Sequence, residues 1–130
     1  MSIERFEDLK SWQEARKLMQ IVYRLTQHET FKQDKALTWQ IRDAAVSSMG
    51  NIAEAHGRYS FEDKRRLLDV SLGSCKDIQS HLYGALDQAY TDRKHFDEAY
   101  RRNHDPVSKQ RLCCKGTTEM VTSSRLSLRH

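Results

Sequence analysis

The fold is decided by residues 37–58, which read LTWQIRDAAVSSMGNIAEAHGR. Apolar and small residues recur in this stretch at steps of three and four, which is the spacing of one helix face. The pattern predicts a helix from about Asp34 to His56. Gly57 is the expected stop, because glycine tolerates the left-handed conformation that ends many helices. The members of the inward stripe are Leu37, Ile41, Ala45, Ser48, Ile52 and Ala55.

A second apolar stripe precedes this helix, and a third follows it. The stripe from Phe6 to Leu25 predicts a helix over about residues 9–27. After Gly57, the run Ser60-Phe61-Glu62-Asp63 has the features of a helix start: a serine that can accept a backbone N–H, followed by two acids near the positive helix end. It opens a helix predicted to extend from Phe61 to about Tyr90.

A fourth helix is weaker. It begins near Thr91 or Asp92, and its inward candidates are Phe96, Ala99 and Tyr100. Pro106 would remove a helical hydrogen bond, and no sustained period follows it. The sequence therefore predicts a helical domain over residues 1–102 and an irregular basic C-terminal tail over residues 103–130.

Composition supports a helical fold. The 130 residues include only five glycines and one proline, too few for the many turns of an all-β protein. Three strong helices and one weaker helix with short connections predict an all-α, antiparallel up-and-down four-helix bundle, and a lone three-helix bundle is the alternative.

The charge and the cysteines limit the possible environments of the protein. The net charge is +4, but residues 1–102 hold 17 Lys and Arg against 16 Asp and Glu, so most of the excess lies in the tail. The three cysteines do not suggest a disulfide framework, since two of them are adjacent. The acidic N-terminal residues are unlike a signal peptide, and no run is long and apolar enough to cross a membrane. We expect a cytoplasmic protein.

The helix over 34–56 also carries a polar seam beside its apolar stripe. Because unpaired polar groups are costly to bury, these side chains either face solvent or find partners on another helix or chain. The sequence leaves three interpretations open: a helix or subunit interface, a solvated face, or a ligand site. The proposed interface residues are Gln40, Ser47, Asn51 and Glu54.

Four segments of the chain resemble, in order and spacing, a known family. They read FEDLKSWQEA at 6–15, QIRDAAVS at 40–47, NIAEAHGR at 51–58 and GSCKDI at 73–78. This succession is similar to that of the four-helix-bundle proteins encoded in intervening sequences of bacterial 23S rRNA genes. Met49 stands where that family often has proline, and Ala55 stands where it often has glycine.

The resemblance implies an up-and-down four-helix bundle that often assembles into a ring-like homopentamer. Relatives include accessory proteins of diversity-generating retroelements, which bind nucleic acid and a reverse transcriptase through a basic surface. The family brings no enzymatic activity, and we expect no cofactor and no small-molecule substrate.

Catalytic and metal sites are weakly indicated. Glu54 and His56 project from a helix about 200° apart and do not share a site, which argues against a catalytic triad with Ser47 or Ser48. Asp77 and His81 are spaced as an ordinary helix-surface pair. The possible metal ligands His95, His104, Cys113 and Cys114 match no usual zinc spacing. We therefore predict a protein that is not an enzyme and has no metal site.

Nucleic-acid binding has a local signal near the start of the third helix. Lys and Arg side chains contact phosphates without sequence preference, although acidic residues between these cations are equally typical of a mixed-charge helix surface. We predict that the protein binds RNA or DNA as a homo-oligomer; the alternative is a protein-interaction or assembly module without a nucleic-acid role. The predicted nucleic-acid-binding residues are Arg58, Lys64, Arg65, Arg66, Arg101 and Arg102.

Overall fold

Helices form all of the regular secondary structure in residues 4–103, the part of the chain that the computed structural model describes. A 3-10 turn at Phe6–Asp8 precedes the first α-helix. The all-α class predicted from the sequence is confirmed. The α-helices are α1, Lys10–Thr26; α2, Glu29–Gln33; α3, Lys35–His56; α4, Phe61–Asp87; and α5, residues 93–103.

Side-chain caps begin the two longest helices. The Ser60 hydroxyl accepts a hydrogen bond from the Asp63 backbone N–H at 3.1 Å, which confirms the predicted start of α4. The Asp34 carboxylate accepts one from the Leu37 N–H at 3.0 Å and so begins α3. Each cap satisfies one of the N–H groups that a helix leaves unpaired in its first turn.

The end of α3 lies where the sequence predicted it, but for a different reason. Gly57 has φ −83°, so no left-handed glycine terminates the helix. Instead, the ammonium group of Lys64 donates hydrogen bonds to the carbonyl oxygens of Ala55 and His56, each at 3.3 Å. A cation from the next helix therefore satisfies carbonyls at the negative end of α3.

Helix α4 ends three residues earlier than the sequence predicted. Ala89 has φ +59°, a left-handed conformation that interrupts the helix before Tyr90. The Tyr90 N–H donates to the Ala85 carbonyl at 2.8 Å and closes the helix end. No glycine or proline stands at this position, so the apolar period in the sequence predicted a helix three residues too long.

Two apolar clusters make up the core. The smaller lies at one end of the molecule, around Ala15 of α1, Ile52 and Ala55 of α3, and Leu67 and Leu68 of α4. The larger involves all five helices, and α5 contributes Phe96 and Ala99 to it as predicted. Its other buried members are Leu18, Ile21, Val22, Leu25, Phe31, Ile41, Ala44, Ala45, Ile78, Leu82 and Ala85.

A buried polar layer lies between the two clusters along α3 and α4. The Ser71 hydroxyl donates to the Ser48 carbonyl oxygen at 2.6 Å, and the Ser48 hydroxyl lies 3.1 Å from the Cys75 sulfur. The Asn103 amide donates to the Cys75 carbonyl at 2.7 Å, although Asn103 is fully buried. This layer connects α3, α4 and α5 through specific hydrogen bonds.

The two glycines inside α4 differ in their surroundings. A Cβ atom at Gly84 would lie 3.8 Å from the Leu37 side chain of α3, whereas one at Gly73 would meet no atom within 4 Å in the described part. Only Gly84 therefore lies where α3 comes near.

The irregular tail was predicted over residues 103–130. Asn103 is helical and buried, and the rest of the predicted tail lies outside the described range.

Candidate nucleic-acid interface

The predicted basic cluster surrounds the turn between α3 and α4. Arg58 is exposed and forms an ion pair with Glu54 at 2.6 Å, and this hydrogen bond raises the pKa of the Arg58 guanidinium. Lys64 is half-buried and holds the end of α3. Arg65 and Arg66 are exposed, and Arg66 lies 4.0 Å from Asp63. Only Arg65 and Arg66 of this cluster are neither bound to α3 nor closely paired.

Acidic residues share the exposed surface of α4 with those two arginines. A shallow groove there is lined by Glu62, Arg65, Arg66, Asp69 and Val70. Along the whole helix, three exposed cations stand among four exposed acids, the others being Lys76, Asp77 and Asp87. This surface, which we call the α4 cluster and which includes Arg65 and Arg66, therefore carries mixed charge. Its carboxylates weaken its attraction for phosphate.

The remaining predicted cations, Arg101 and Arg102, lie on α5 beside α1. Arg102 approaches the carboxylate of Glu14 on α1 at 3.9 Å, and Arg101 donates to the Asp97 carbonyl at 3.3 Å. The next residue, Asn103, is bonded to Cys75, nine residues beyond Arg66 and hence about 14 Å farther along α4. These arginines thus neighbour α1, which was not among the predicted nucleic-acid-binding elements.

Helix α1 presents a solvent face without an exposed acid. Its one carboxylate, Glu14, is largely buried, with 14% of its side chain exposed, between Lys17 and Arg102. Every exposed residue of α1 is a lysine, an arginine or a glutamine. These residues are Lys10, Gln13, Arg16, Lys17, Gln20 and Arg24.

Together, the two helices form a surface that we call the α1/α5 basic face. It consists of the eight exposed cations of these helices, Lys10, Arg16, Lys17, Arg24, Arg93, Lys94, Arg101 and Arg102. Two acids of α5 reach the surface within the described range: Glu98 is exposed, and the Asp97 carboxylate pairs with Arg93 at 3.3 Å. The signal was present in the sequence: Lys10, Lys17 and Arg24 are spaced by seven residues and therefore share one side of a helix.

A cleft of about 180 Å³ lies between the end of α1 and the start of α5. Its apolar floor is formed by Ile21 and Leu25, and its polar lining by Arg24, His28, His95 and Glu98. His95 is held by Asp92, whose pKa is lowered by the hydrogen bonds that it accepts from the backbone N–H and the ring of His95.

The polar seam of α3 is divided between two environments. Ser47 accepts a hydrogen bond from the Ser74 hydroxyl of α4 at 3.0 Å, and the Asn51 amide donates back to the Ser47 carbonyl at 2.7 Å. Gln40 and Glu54 are exposed. The middle of the seam therefore contacts α4 of the same chain, while its ends face solvent.

The catalytic candidates do not assemble. Ser48 is buried in the polar layer, and Glu54 is paired with Arg58. Among the described residues, no group of three or more His, Cys, Asp or Glu side chains is arranged to hold a metal ion. His104, Cys113 and Cys114 lie outside that range.

Within residues 4–103, no helix has both the length and the apolar content needed to span a membrane.

Comparison with known proteins identifies the family. No curated protein matches the chain in this comparison. The family model described as 23S rRNA-intervening sequence protein matches residues 7–109. Because this match covers well over half of the 130-residue chain, the chain belongs to the 23S rRNA-intervening sequence protein family.

Proposed function

We propose that this protein is a non-enzymatic helical bundle that binds nucleic acid through the α1/α5 basic face. The observation that carries the proposal is the separation of exposed charge: within residues 4–103, α1 and α5 expose eight Lys and Arg against the two carboxylates of Asp97 and Glu98, whereas α4 exposes more acids than cations. Lys and Arg contacts to phosphate supply sequence-independent affinity. The arginines of the α4 cluster play a secondary part.

The proposed architecture is an antiparallel up-and-down four-helix bundle of α1, α3, α4 and α5. Contacts between α3 and α4 join Ala55 to Lys64, Ser48 to Ser71 and Leu37 to Gly84, so one residue number falls as the other rises. Such pairing is expected when neighbouring helices run in opposite directions. In this arrangement α1 and α5 are neighbours, and their cations form one surface.

Charge reversal on α1 tests the proposed function. We expect Lys17→Glu with Arg24→Glu to weaken binding to a fluorescein-labelled RNA hairpin by about 100-fold at about 50 mM salt, because each lost phosphate contact removes a factor of about ten there. The matched control is Arg65→Glu with Arg66→Glu, which changes the net charge equally. We expect the control to weaken binding by less than about fivefold. Fluorescence anisotropy gives both affinities, and circular dichroism verifies the fold.

Two results would contradict the proposal. The first is a parent protein that fails to bind the hairpin at about 50 mM salt, where phosphate contacts are strong. The second is an equal loss in both variants, which would mean that net charge, and not the α1/α5 basic face, determines the affinity.

A second candidate function is assembly through the solvent face of α3. Trp39 is 63% exposed and Val46 is 44% exposed, and a Cβ atom at Gly50 would meet no atom within 4 Å in the described part. These residues follow one another at steps of seven and four along the same side of α3. Exposed apolar residues beside a small one suit a close contact with another helix, and a homo-oligomer, a pentamer by the family resemblance, is the state we propose.

Light scattering tests the assembly. We expect the parent to be an oligomer at micromolar concentration, and we expect Trp39→Glu with Val46→Glu to shift it to monomer, because two charges would be buried at the contact. The control is Gln13→Glu with Gln20→Glu, which adds the same charge on exposed positions of α1. A monomeric parent, or an oligomer that survives the α3 variant, would rule out this interface.

A further inference from the structure

We infer that the α1/α5 basic face binds the phosphate backbone of a double helix and does not bind the bases of a single strand. This inference rests on the proposed function and specifies its ligand. It depends on three features of α1: the line of its cations, the glutamines between them, and the absence of an open aromatic ring on the described surface of α1 and α5.

The cations of α1 form a straight track. Lys10, Lys17 and Arg24 are exposed and separated by seven residues, which corresponds to a rise of about 10 Å for each step and about 21 Å in all. A duplex carries about one phosphate charge per 1.7 Å of its axis, or about 12 charges over that length. A rigid row of cations can follow a regular double helix without requiring the nucleic acid to reorganise.

Glutamines occupy the positions between the cations. Gln13 and Gln20 alternate with Lys10, Lys17 and Arg24 on the same exposed side of the helix. Their amide groups donate hydrogen bonds and carry no charge, so they can contact phosphate or sugar oxygens without repelling the backbone. The Gln13 amide already donates one hydrogen bond to the Glu7 carbonyl at 2.9 Å, which leaves its second N–H and the Gln20 amide as the uncharged donors of the track.

The aromatic rings of α1 and α5 are covered by contacts within the protein, and Tyr83 of α4, which is 50% exposed, lies edge to face against Phe96 at 5.0 Å. The Arg16 guanidinium lies 5.6 Å from the ring centre of Trp12, and the Arg42 guanidinium lies 4.6 Å from that of Tyr23. On α5, Phe96 is buried and stacks on Tyr100 at 5.5 Å. Single-strand binding relies on aromatic side chains on which bases stack, and the described part of α1 and α5 offers none that is open.

The exposed aromatic rings of the described residues lie on other elements: Trp39 on α3, Tyr83 on α4 and Tyr59 in the turn between them. Tyr59 is fully exposed in the turn between α3 and α4, next to Arg58. It is the residue on which an unpaired base would be expected to stack if the α4 cluster bound a single strand. Tyr59 therefore separates the two modes of binding experimentally.

Anionic membranes also attract basic helices, but α1 lacks the apolar surface needed to enter one. Leu18, Val22 and Leu25, on its apolar side, are buried in the core of the protein. A helix that lies in a membrane interface inserts such a side into the lipid. The charge of α1 is therefore available to a polyanion in solution.

The test compares two nucleic acids of the same strand length. The probes are a blunt-ended duplex of about two helical turns and an unstructured single strand of about 20 nucleotides. We expect the full-length protein to bind the duplex at least tenfold more tightly at about 100 mM salt, with a logarithmic salt slope of about −4 from four or five phosphate contacts. Lys17→Gln with Arg24→Gln should reduce the magnitude of that slope by about 2. Tyr59→Ala should change neither the duplex affinity nor the slope.

The outcomes distinguish this inference from the proposed function. Tighter binding to the single strand, with loss on Tyr59→Ala, would overturn the duplex mode and leave nucleic-acid binding intact. Binding to neither probe at about 50 mM salt would overturn both. Tighter binding to vesicles rich in phosphatidylserine than to the duplex, with both tested at one salt concentration, would also overturn the inference.

Discussion

Replacing Phe31 with alanine is expected to lower the free energy of unfolding by about 3–5 kcal/mol, the usual cost of emptying a buried phenylalanine site. Phe31 belongs to the five-residue helix α2, yet its side chain is completely buried in the larger apolar cluster. Its ring packs against that of Tyr90 with a centroid distance of 5.5 Å. The truncation would leave a cavity among α1, α3 and the turn that follows α4.

Neighbouring contacts make that cavity difficult to close. The Thr38 hydroxyl donates to the Phe31 carbonyl at 3.0 Å, and the Tyr90 hydroxyl donates to the Asp34 carboxylate at 3.0 Å. Both bonds hold the backbone around α2 in place. Urea denaturation monitored by circular dichroism measures the loss. The control, Lys32→Ala, changes an exposed neighbour and should cost less than about 0.5 kcal/mol. A loss below about 1 kcal/mol for Phe31→Ala would show that α2 contributes little to the core.

The long helices could be predicted from the sequence because their signals are local and repeated. The Ser60 cap needs only Asp63 three residues later, and the α3 stripe extends over six turns. Helix α2 was not predicted, because five residues cannot establish a helical period. The end of α4 was missed because left-handed Ala89 carries no residue-type signal.

The candidate site was harder to predict than the helices. The predicted cluster grouped Lys64, Arg65 and Arg66 because they are consecutive in the sequence. Successive residues of a helix, however, point about 100° apart. Lys64 accordingly faces the end of α3, while the two arginines face solvent beside acids. Lys10, Lys17 and Arg24 are far apart in the sequence and yet share a face. Their relation to Arg101 and Arg102 depends on the packing of α5 beside α1, which no local pattern specifies.

A charge introduced into the buried polar layer is expected to have the second large effect on stability, because the layer offers no partner for it. We expect Asn103→Asp to lower the free energy of unfolding by about 3–5 kcal/mol near pH 8, as for other buried charges left without a partner. The substitution preserves the shape of the side chain but replaces an amide donor with a carboxylate. The new oxygen would lie near the Cys75 carbonyl oxygen, which now accepts at 2.7 Å. In the described part of the chain, the one side-chain oxygen of Asn103, Oδ1, has no hydrogen-bond partner, so no donor there offsets this repulsion.

The same variant should become less destabilised in acid, and this dependence identifies charge as the cause. Burial raises the pKa of an introduced carboxyl in the folded state above its unfolded value of about 3.9, so between these two pKa values the folded protein binds more protons than the unfolded chain. The penalty should therefore shrink as the pH falls from 8 towards 4.5, where the protonated carboxyl can again donate to the Cys75 carbonyl. Urea denaturation of parent and variant at both values measures the difference.

The matched control is Asn51→Asp. The Asn51 amide also donates to a carbonyl at 2.7 Å, but the Asn51 side chain is only half-buried. This substitution should cost less and vary less with pH. A penalty for Asn103→Asp that is equal at both pH values would mean that lost packing, and not the buried charge, destabilises the protein.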